Sequence, residues 1–127
     1  MIQAMKLLND FFRIEQPSQY GDNACYRIQL NPGHVIYQAH FPGNPITPGV
    51  CVIQIVGELL SELVGKRLVL SKVNNVKFLS TLSPAVEAAV DVTLSSITEH
   101  DGELKVKAIV KGEKEVYSKL SLTYYND

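Results

Sequence analysis

Residues 40–54 read HFPGNPITPGVCVIQ. Three prolines and two glycines within residues 41–49 exclude a helix or a central strand, because proline lacks the N–H that both structures use. Apolar residues then recur at helical spacing over Val50–Val64, and Gly65 follows where a C-cap glycine is expected. The stretch therefore predicts a rigid loop that leads, near Pro48, into a helix buried on most of its sides.

The remainder of the chain is rich in alternating apolar residues, which predict strands. These strands are Ala24–Leu30, Leu68–Leu79, Ala85–Ile97, Glu103–Lys111 and Glu115–Tyr125. Asp101-Gly102 is a strong hairpin signal. Upstream, the spacing predicts a short amphipathic helix over Ile2–Phe12 and a turn over Pro17–Asn23. One early helix followed by an antiparallel meander favours an α+β fold in which a curved antiparallel sheet wraps around one central helix, with a general two-layer α+β fold as the alternative.

Composition narrows the class of protein. The 127 residues are 46% hydrophobic and 20% charged, which suits one folded domain, and the net charge of −1 gives no reason to expect nucleic-acid binding. Cys25 and Cys51 lack metal-ligand spacing and are expected to be free thiols. The first ten residues do not resemble a secretory signal, and no apolar run is long enough for a membrane span. We therefore expect a cytoplasmic protein.

The loop and helix resemble the signature of the 3-hydroxyacyl-(acyl carrier protein) dehydratases, which have the hot-dog fold. Val73–Phe78 and Ser83-Pro84 are similar to the family's segment after the central helix, and the likeness spans most of the chain. It implies a single hot-dog domain over residues 1–127 and a hydro-lyase that converts (3R)-hydroxyacyl thioesters to trans-2-enoyl thioesters in fatty-acid or related acyl-chain biosynthesis.

The resemblance also implies partners. The implied substrate is an acyl chain on the phosphopantetheine arm of acyl carrier protein. The implied reaction needs no metal or organic cofactor. The fold usually dimerises by pairing sheets edge to edge and shares its sites across the interface. A homodimer, a higher oligomer of dimers or a heterodimer with a paralogue are all open.

The chemistry of dehydration gives the motif a physical reason. A base must remove the proton next to the thioester carbonyl, and the enolate oxygen must be stabilised. His40 is the candidate base. The N–H groups of Gly49 and Val50 at the helix start are candidates to hold the thioester oxygen, with Gly43 and Phe41 as further substrate-binding residues. His34 and His100 are expected on the surface.

One position departs from the family. An acidic residue, contributed by the other subunit, usually stands on the central helix where this chain has Gln54, and an amide cannot donate a full proton. Glu58, one turn later, is either a substitute acid or a structural glutamate. A paralogue that carries the acid is a second solution, and orientation of a water or of the thioester by Gln54 is a third.

Two other functions remain open at this stage. An acyl thioesterase would use Glu58 to activate water, whereas a non-catalytic partner subunit would have lost its activity at Gln54. Cys51, in the first turn of the helix, is a conceivable nucleophile, but packing of the thiol in the core is expected. The sequence leaves the chain length of the substrate and the pathway open.

Overall fold

The computed structural model describes residues 6–20, 23–40 and 43–126, without the side chains of residues 18–20 and 40. Its elements, in chain order, are β1 (Phe12–Tyr20), β2 (Asn23–Leu30), α1 (Val35–His40), α2 (Gly49–Val64), β3 (Leu68–Phe78), β4 (Ala89–His100), β5 (Glu103–Lys111) and β6 (Val116–Asn126). The six strands form one sheet in the order β1-β2-β4-β5-β6-β3. Every neighbouring pair is antiparallel.

The sheet curves around α2, as the hot-dog fold requires. One face of α2 is buried against the sheet through Cys51, Val52, Ile55, Val56, Leu59 and Leu60. The strands contribute alternate residues to the same core, and β5 shows this most clearly, with every second residue buried. Because the helix packs against the inner face of an antiparallel sheet, the outer face is left to solvent. The predicted central helix and wrapped sheet are therefore confirmed.

The ends of α2 follow from local sequence. Pro48 is the N-cap residue, with an extended conformation of φ −63° and ψ 146°. Gly65 ends the helix in the left-handed conformation with φ 69°, and its N–H donates to the Ser61 carbonyl. Glycine adopts this conformation without the penalty of a side chain. The predicted start near Pro48 and the predicted C-cap are both confirmed.

The predicted helix over Ile2–Phe12 is wrong for the residues that the structure describes; residues 2–5 lie outside them. Asn9 has a φ of 70°, which breaks any helix, and β1 begins at Phe12. Phe11 and Leu7 are buried in the core, and the Phe11 N–H donates to the Leu7 carbonyl at 2.7 Å. The apolar residues of this segment therefore belong to a tight turn, and the side chains of Leu7 and Phe11 pack in the core.

Three further parts of the secondary structure differ from the sequence prediction. Residues 17–20 belong to β1, where Pro17 is tolerated because β1 is an edge strand. Strand β4 begins at Ala89, since the preceding segment forms a turn in which Val86 and Glu87 donate N–H groups to the Ser83 carbonyl. The short helix α1 was not predicted. The Asp101-Gly102 hairpin is confirmed, with positive φ at both residues.

His34 is buried, and the prediction of a surface position is wrong. Its residue is 7% exposed, and the ring packs edge-on against Phe11 with centroids 5.2 Å apart. Nδ1 accepts a hydrogen bond from the Ile36 N–H at 3.1 Å, and Nε2 lies 3.1 Å from the Asp10 carboxylate. His34 therefore caps the start of α1. His100, by contrast, has an exposed side chain as predicted.

Candidate active site

A side-chain hydrogen bond joins helix α1 to the proline-rich loop that precedes α2. The hydroxyls of Tyr37 and Thr47 share a buried hydrogen bond of 3.0 Å, and the Thr47 N–H donates to the Leu82 carbonyl at 2.8 Å. Burial raises the pKa of Tyr37 to about 12, so its hydroxyl stays neutral. Tyr37 also stacks on Phe11, with ring centroids 5.0 Å apart. This fixes the helix whose last residue is His40.

His40 closes α1, and its side chain is outside the described part of the structure. Phe41 also lies outside the described residues. Gly43 is exposed in a turn with a φ of 79°, a conformation that favours glycine. The backbone thus brings His40 to the loop that leads into α2, whereas the roles of His40, Phe41 and Gly43 stay predictions.

The first turn of α2 contains two backbone N–H groups that are candidates to bind a substrate oxygen. Cys51 and Val52 donate their N–H groups to the Pro48 carbonyl, at 3.0 and 3.2 Å. Among the described residues, the N–H groups of Gly49 and Val50 have no acceptor. Such amides, together with the helix dipole, attract a partial negative charge. This is the feature that a developing enolate oxygen requires.

The Phe78 ring lies directly over Gly49. A methyl group at position 49 would come within 2.7 Å of its Cζ atom, so only glycine permits this approach. Phe78 is itself 52% exposed. The ring therefore forms a partly exposed apolar wall beside Gly49. Ile55 and Leu59, further along α2, are buried in the core.

Cys51 behaves as a core residue. Its thiol is buried, and burial raises the pKa of Cys51 rather than lowering it. A nucleophilic thiol needs the opposite shift. The expectation of packing is confirmed.

Glu58 is occupied by the N-terminal segment. Its two carboxylate oxygens accept the N–H groups of Leu7 at 2.7 Å and Leu8 at 2.8 Å. The Gln54 side-chain amide donates to the same carboxylate at 2.8 Å. A carboxylate with three donors around it is well placed to hold this segment against α2. The arrangement favours the structural interpretation of Glu58 over that of a substitute acid.

Replacing Glu58 by alanine is expected to lower the free energy of unfolding by about 2 kcal/mol, because two backbone N–H groups lose a charged acceptor. Denaturant unfolding followed by circular dichroism measures the change. Glu62→Ala, on an exposed position of the same helix, is the matched control and should have little effect. Equal stability of the Glu58 and Glu62 variants would contradict the structural role.

A groove of about 570 Å³ lies between α2 and strands β3 and β6 at one edge of the sheet. Val50, Gln54, Glu58 and the other helix residues that line it follow helical spacing, and Val50 is 73% exposed. Leu68–Leu70 of β3 and Tyr124 of β6 form the opposite wall. The groove therefore begins at Val50 in the first turn of α2 and continues past Gln54.

Sequence analysis missed Tyr37, Thr47 and Tyr124. Tyr37 stands three residues before His40, which is one helical turn, and that spacing was a usable signal once α1 is considered. Tyr124 gave no signal in the sequence, because only the sheet register places it beside α2.

Among the described residues, no group of three or more His, Cys, Asp or Glu side chains has the geometry to hold a metal ion. Nor does any helix in this part of the chain have the length and apolarity that a membrane crossing requires.

Comparison with known structures supports the class of fold. The ApeI:P dehydratase heterocomplex from Xenorhabdus doucetiae superposes with a TM-score of 0.66 at 23% identity, covering 88% of this chain and 93% of that chain. A thioesterase from Haemophilus influenzae gives 0.58 at 16% identity, covering 91% and 78%. At these identities the likeness concerns the fold, which dehydratases and thioesterases share. The protein is thus a hot-dog domain.

Sequence comparison gives the family. The model of the ApeI-like family, described as ApeI dehydratase, matches residues 16–120. The 3-hydroxyacyl-[acyl-carrier-protein] dehydratase FabZ of Oenococcus oeni is 31% identical over 101 residues, which are 74% of this chain and 73% of that protein. The FabZ of Latilactobacillus sakei is 28% identical over 108 residues, 80% and 77% of the two chains. The chain belongs to the ApeI-like dehydratase family.

Proposed function

We propose that the protein is a hydro-lyase that removes water from 3-hydroxyacyl thioesters carried by acyl carrier protein, giving trans-2-enoyl thioesters. Membership of the dehydratase family and the FabZ relatives support this reaction. The single observation that carries it within the molecule is the pair of N–H groups at Gly49 and Val50, which have no acceptor among the described residues and directly follow the loop after His40. Val50 also lines the groove.

The proposed reaction uses the geometry in two parts. The thioester oxygen accepts the Gly49 and Val50 N–H groups, which lowers the energy of the enolate that forms when His40 removes a proton from C2. The electron pair then forms the C2–C3 double bond, and the C3 hydroxyl leaves as water after it receives a proton. Base and oxyanion donors therefore come from adjacent segments of one chain, whereas the proton donor needs a separate source.

The proton donor is the part that this chain lacks at the usual position. Gln54 cannot supply a proton, and the carboxylate of Glu58 already accepts three hydrogen bonds. We infer that a paralogue with an acid at the position of Gln54 completes the site. A known structure of similar fold is a dehydratase heterocomplex, which supports this arrangement. In such a pair, His40 and the paralogue's acid form one complete site.

Exposed apolar residues at one sheet edge support assembly. Strand β3 is an edge strand, and Val73, Phe78 and Leu79 in and just after it are exposed. An edge with free backbone groups and apolar side chains is suited to pairing with another chain. Edge-to-edge pairing through β3 would bring a second chain close to Phe78 and to Gly49, which the Phe78 ring covers.

Mass spectrometry of the acyl carrier protein tests the proposal. We expect that 3-hydroxyacyl carrier protein loses one water when incubated with this protein and an acid-bearing paralogue, and that the thioester bond stays intact. A thiol reagent in the same reaction detects hydrolysis. Release of free carrier thiol without dehydration would contradict the proposal and favour a thioesterase. No conversion in any mixture would favour a non-catalytic subunit.

A further inference from the structure

Tyr124 carries a polar group with no visible function in the fold. The residue is 3% exposed, and its hydroxyl is buried without a hydrogen-bond partner among the described residues. An unsatisfied buried hydroxyl costs free energy, which phenylalanine at this position would avoid. Burial also raises the pKa of Tyr124, so the group remains a neutral hydroxyl that can both donate and accept.

Tyr124 belongs to the wall of the groove. It lies on β6 opposite Gly57 of α2, where an added Cβ would lie 3.1 Å from the tyrosine oxygen. Glycine in the middle of a helix costs about 1 kcal/mol relative to alanine. Gly57 therefore gives the Tyr124 ring the room to pack against α2, and the hydroxyl that this packing buries still has no partner among the described residues. A ligand in the groove that supplies a hydrogen-bonding oxygen would satisfy this hydroxyl.

The position of Tyr124 along the groove indicates which part of an acyl chain lies next to it. Gly57 lies eight residues beyond Gly49, which is about 12 Å along the helix axis. This distance is well past the reacting carbons of a thioester held at Gly49. The lining is mixed: Ile53 and Leu70 are apolar, whereas Lys6 and Arg67 are cationic and Glu58 and Glu62 are anionic. Because charges of both signs line the groove in equal number, it offers no net attraction to an ionic substituent, and a neutral substituent suits it.

We propose that Tyr124 is a specificity-determining residue that hydrogen-bonds a neutral oxygen substituent, a hydroxyl or a carbonyl, on the distal part of the acyl chain. This rests on the proposed function insofar as the ligand is an acyl thioester. It goes further in assigning a preference for functionalised over purely hydrocarbon chains. The apolar lining residues contact the methylene groups of the acyl chain, and the Tyr124 hydroxyl hydrogen-bonds the polar substituent on that chain.

Binding of matched ligands to the inactive His40→Ala protein tests the inference without turnover. Two acyl pantetheine thioesters of equal length, one with a distal hydroxyl or keto group and one without, are compared by calorimetry. The hydroxyl or keto group is placed at the carbon nearest Tyr124. We expect the substituted chain to bind about tenfold more tightly, a typical effect for one buried hydrogen bond.

Tyr124→Phe should remove this preference and leave the affinity for the unsubstituted chain unchanged. The variant removes an oxygen that lacks a partner, so it should unfold at the same or a higher denaturant concentration. Tyr125→Phe, at an exposed neighbouring position, is the matched control and should keep the preference. Equal affinities of the two ligands for the parent, or an unchanged preference in Tyr124→Phe, would overturn the inference.

The outcome is separable from that of the proposed function. A preference that depends on Tyr124, in a protein that dehydrates no thioester in any mixture, would support the inference and contradict the enzymatic role. Dehydration with no preference between the two ligands would do the reverse.

Discussion

Replacing His40 by alanine is expected to lower kcat/KM for dehydration by about 10²- to 10⁴-fold in the assembly with an acid-bearing paralogue, because the site would lose the general base that we propose. The backbone position of His40, at the end of α1 and just before the loop that leads to Gly49, provides the reason for choosing this histidine. Formation of the enoyl thioester on the carrier protein, followed by mass spectrometry, measures the effect.

The matched control is His100→Ala. His100 is an exposed histidine at the far end of β4, and its removal should leave activity unchanged. A second control uses the paralogue, whose own histidine, in the proposed mixed pair, would face Gln54 and would therefore belong to an incomplete site. Removal of that histidine should have little effect. A paralogue histidine that matters while His40 does not would show that this chain is the passive member of the pair.

Changing Gln54 to glutamate is expected to raise the activity of this protein in the absence of any paralogue by about 10²-fold, since the proton donor is restored. The new carboxyl would stand one helical turn from the Glu58 carboxylate. Two like charges at this spacing repel each other, which favours a state in which one of the two carboxyl groups holds the proton that the reaction needs. Initial rates of enoyl thioester formation by the single variant measure the gain.

The double variant Gln54→Glu with Glu58→Gln is the matched control. It places an acid at position 54 and an amide at position 58, and it removes the repulsion between two carboxylates. We expect it to gain activity as well, with lower stability, because the amide offers one acceptor oxygen to the Leu7 and Leu8 N–H groups instead of two. If neither variant exceeds the parent, the missing carboxylate at position 54 is not what limits the isolated chain.

Much of the fold is predictable because its elements are long and strongly patterned. The α2 boundaries follow from Pro48 and Gly65, and β5 was predicted with the bounds that the structure has. The errors lie where tertiary contacts decide. The spacing over Ile2–Phe12 fits a helix as well as it fits a turn that buries Phe11, and only the acceptors on Glu58 favour the turn.

The candidate site was predictable only in part. The loop motif indicated Gly49 and Gln54 directly, since both stand in one continuous stretch. Whether Glu58 is free to act depends on a segment 50 residues away that donates to it, and this long-range pair leaves no sequence pattern. The buried position of His34 has a similar origin, because its partner Asp10 comes from a different part of the chain. Tyr124 reaches the groove only through the register of β6 with β3.

The most direct test of the account is a crystal structure of the active assembly with a thioester analogue that cannot lose water. We predict that the thioester oxygen accepts the Gly49 N–H, that the His40 ring lies within about 3.5 Å of C2, and that a carboxylate of the partner chain approaches the C3 hydroxyl. A His40 ring turned into solvent, with the thioester bound away from the start of α2, would contradict the account.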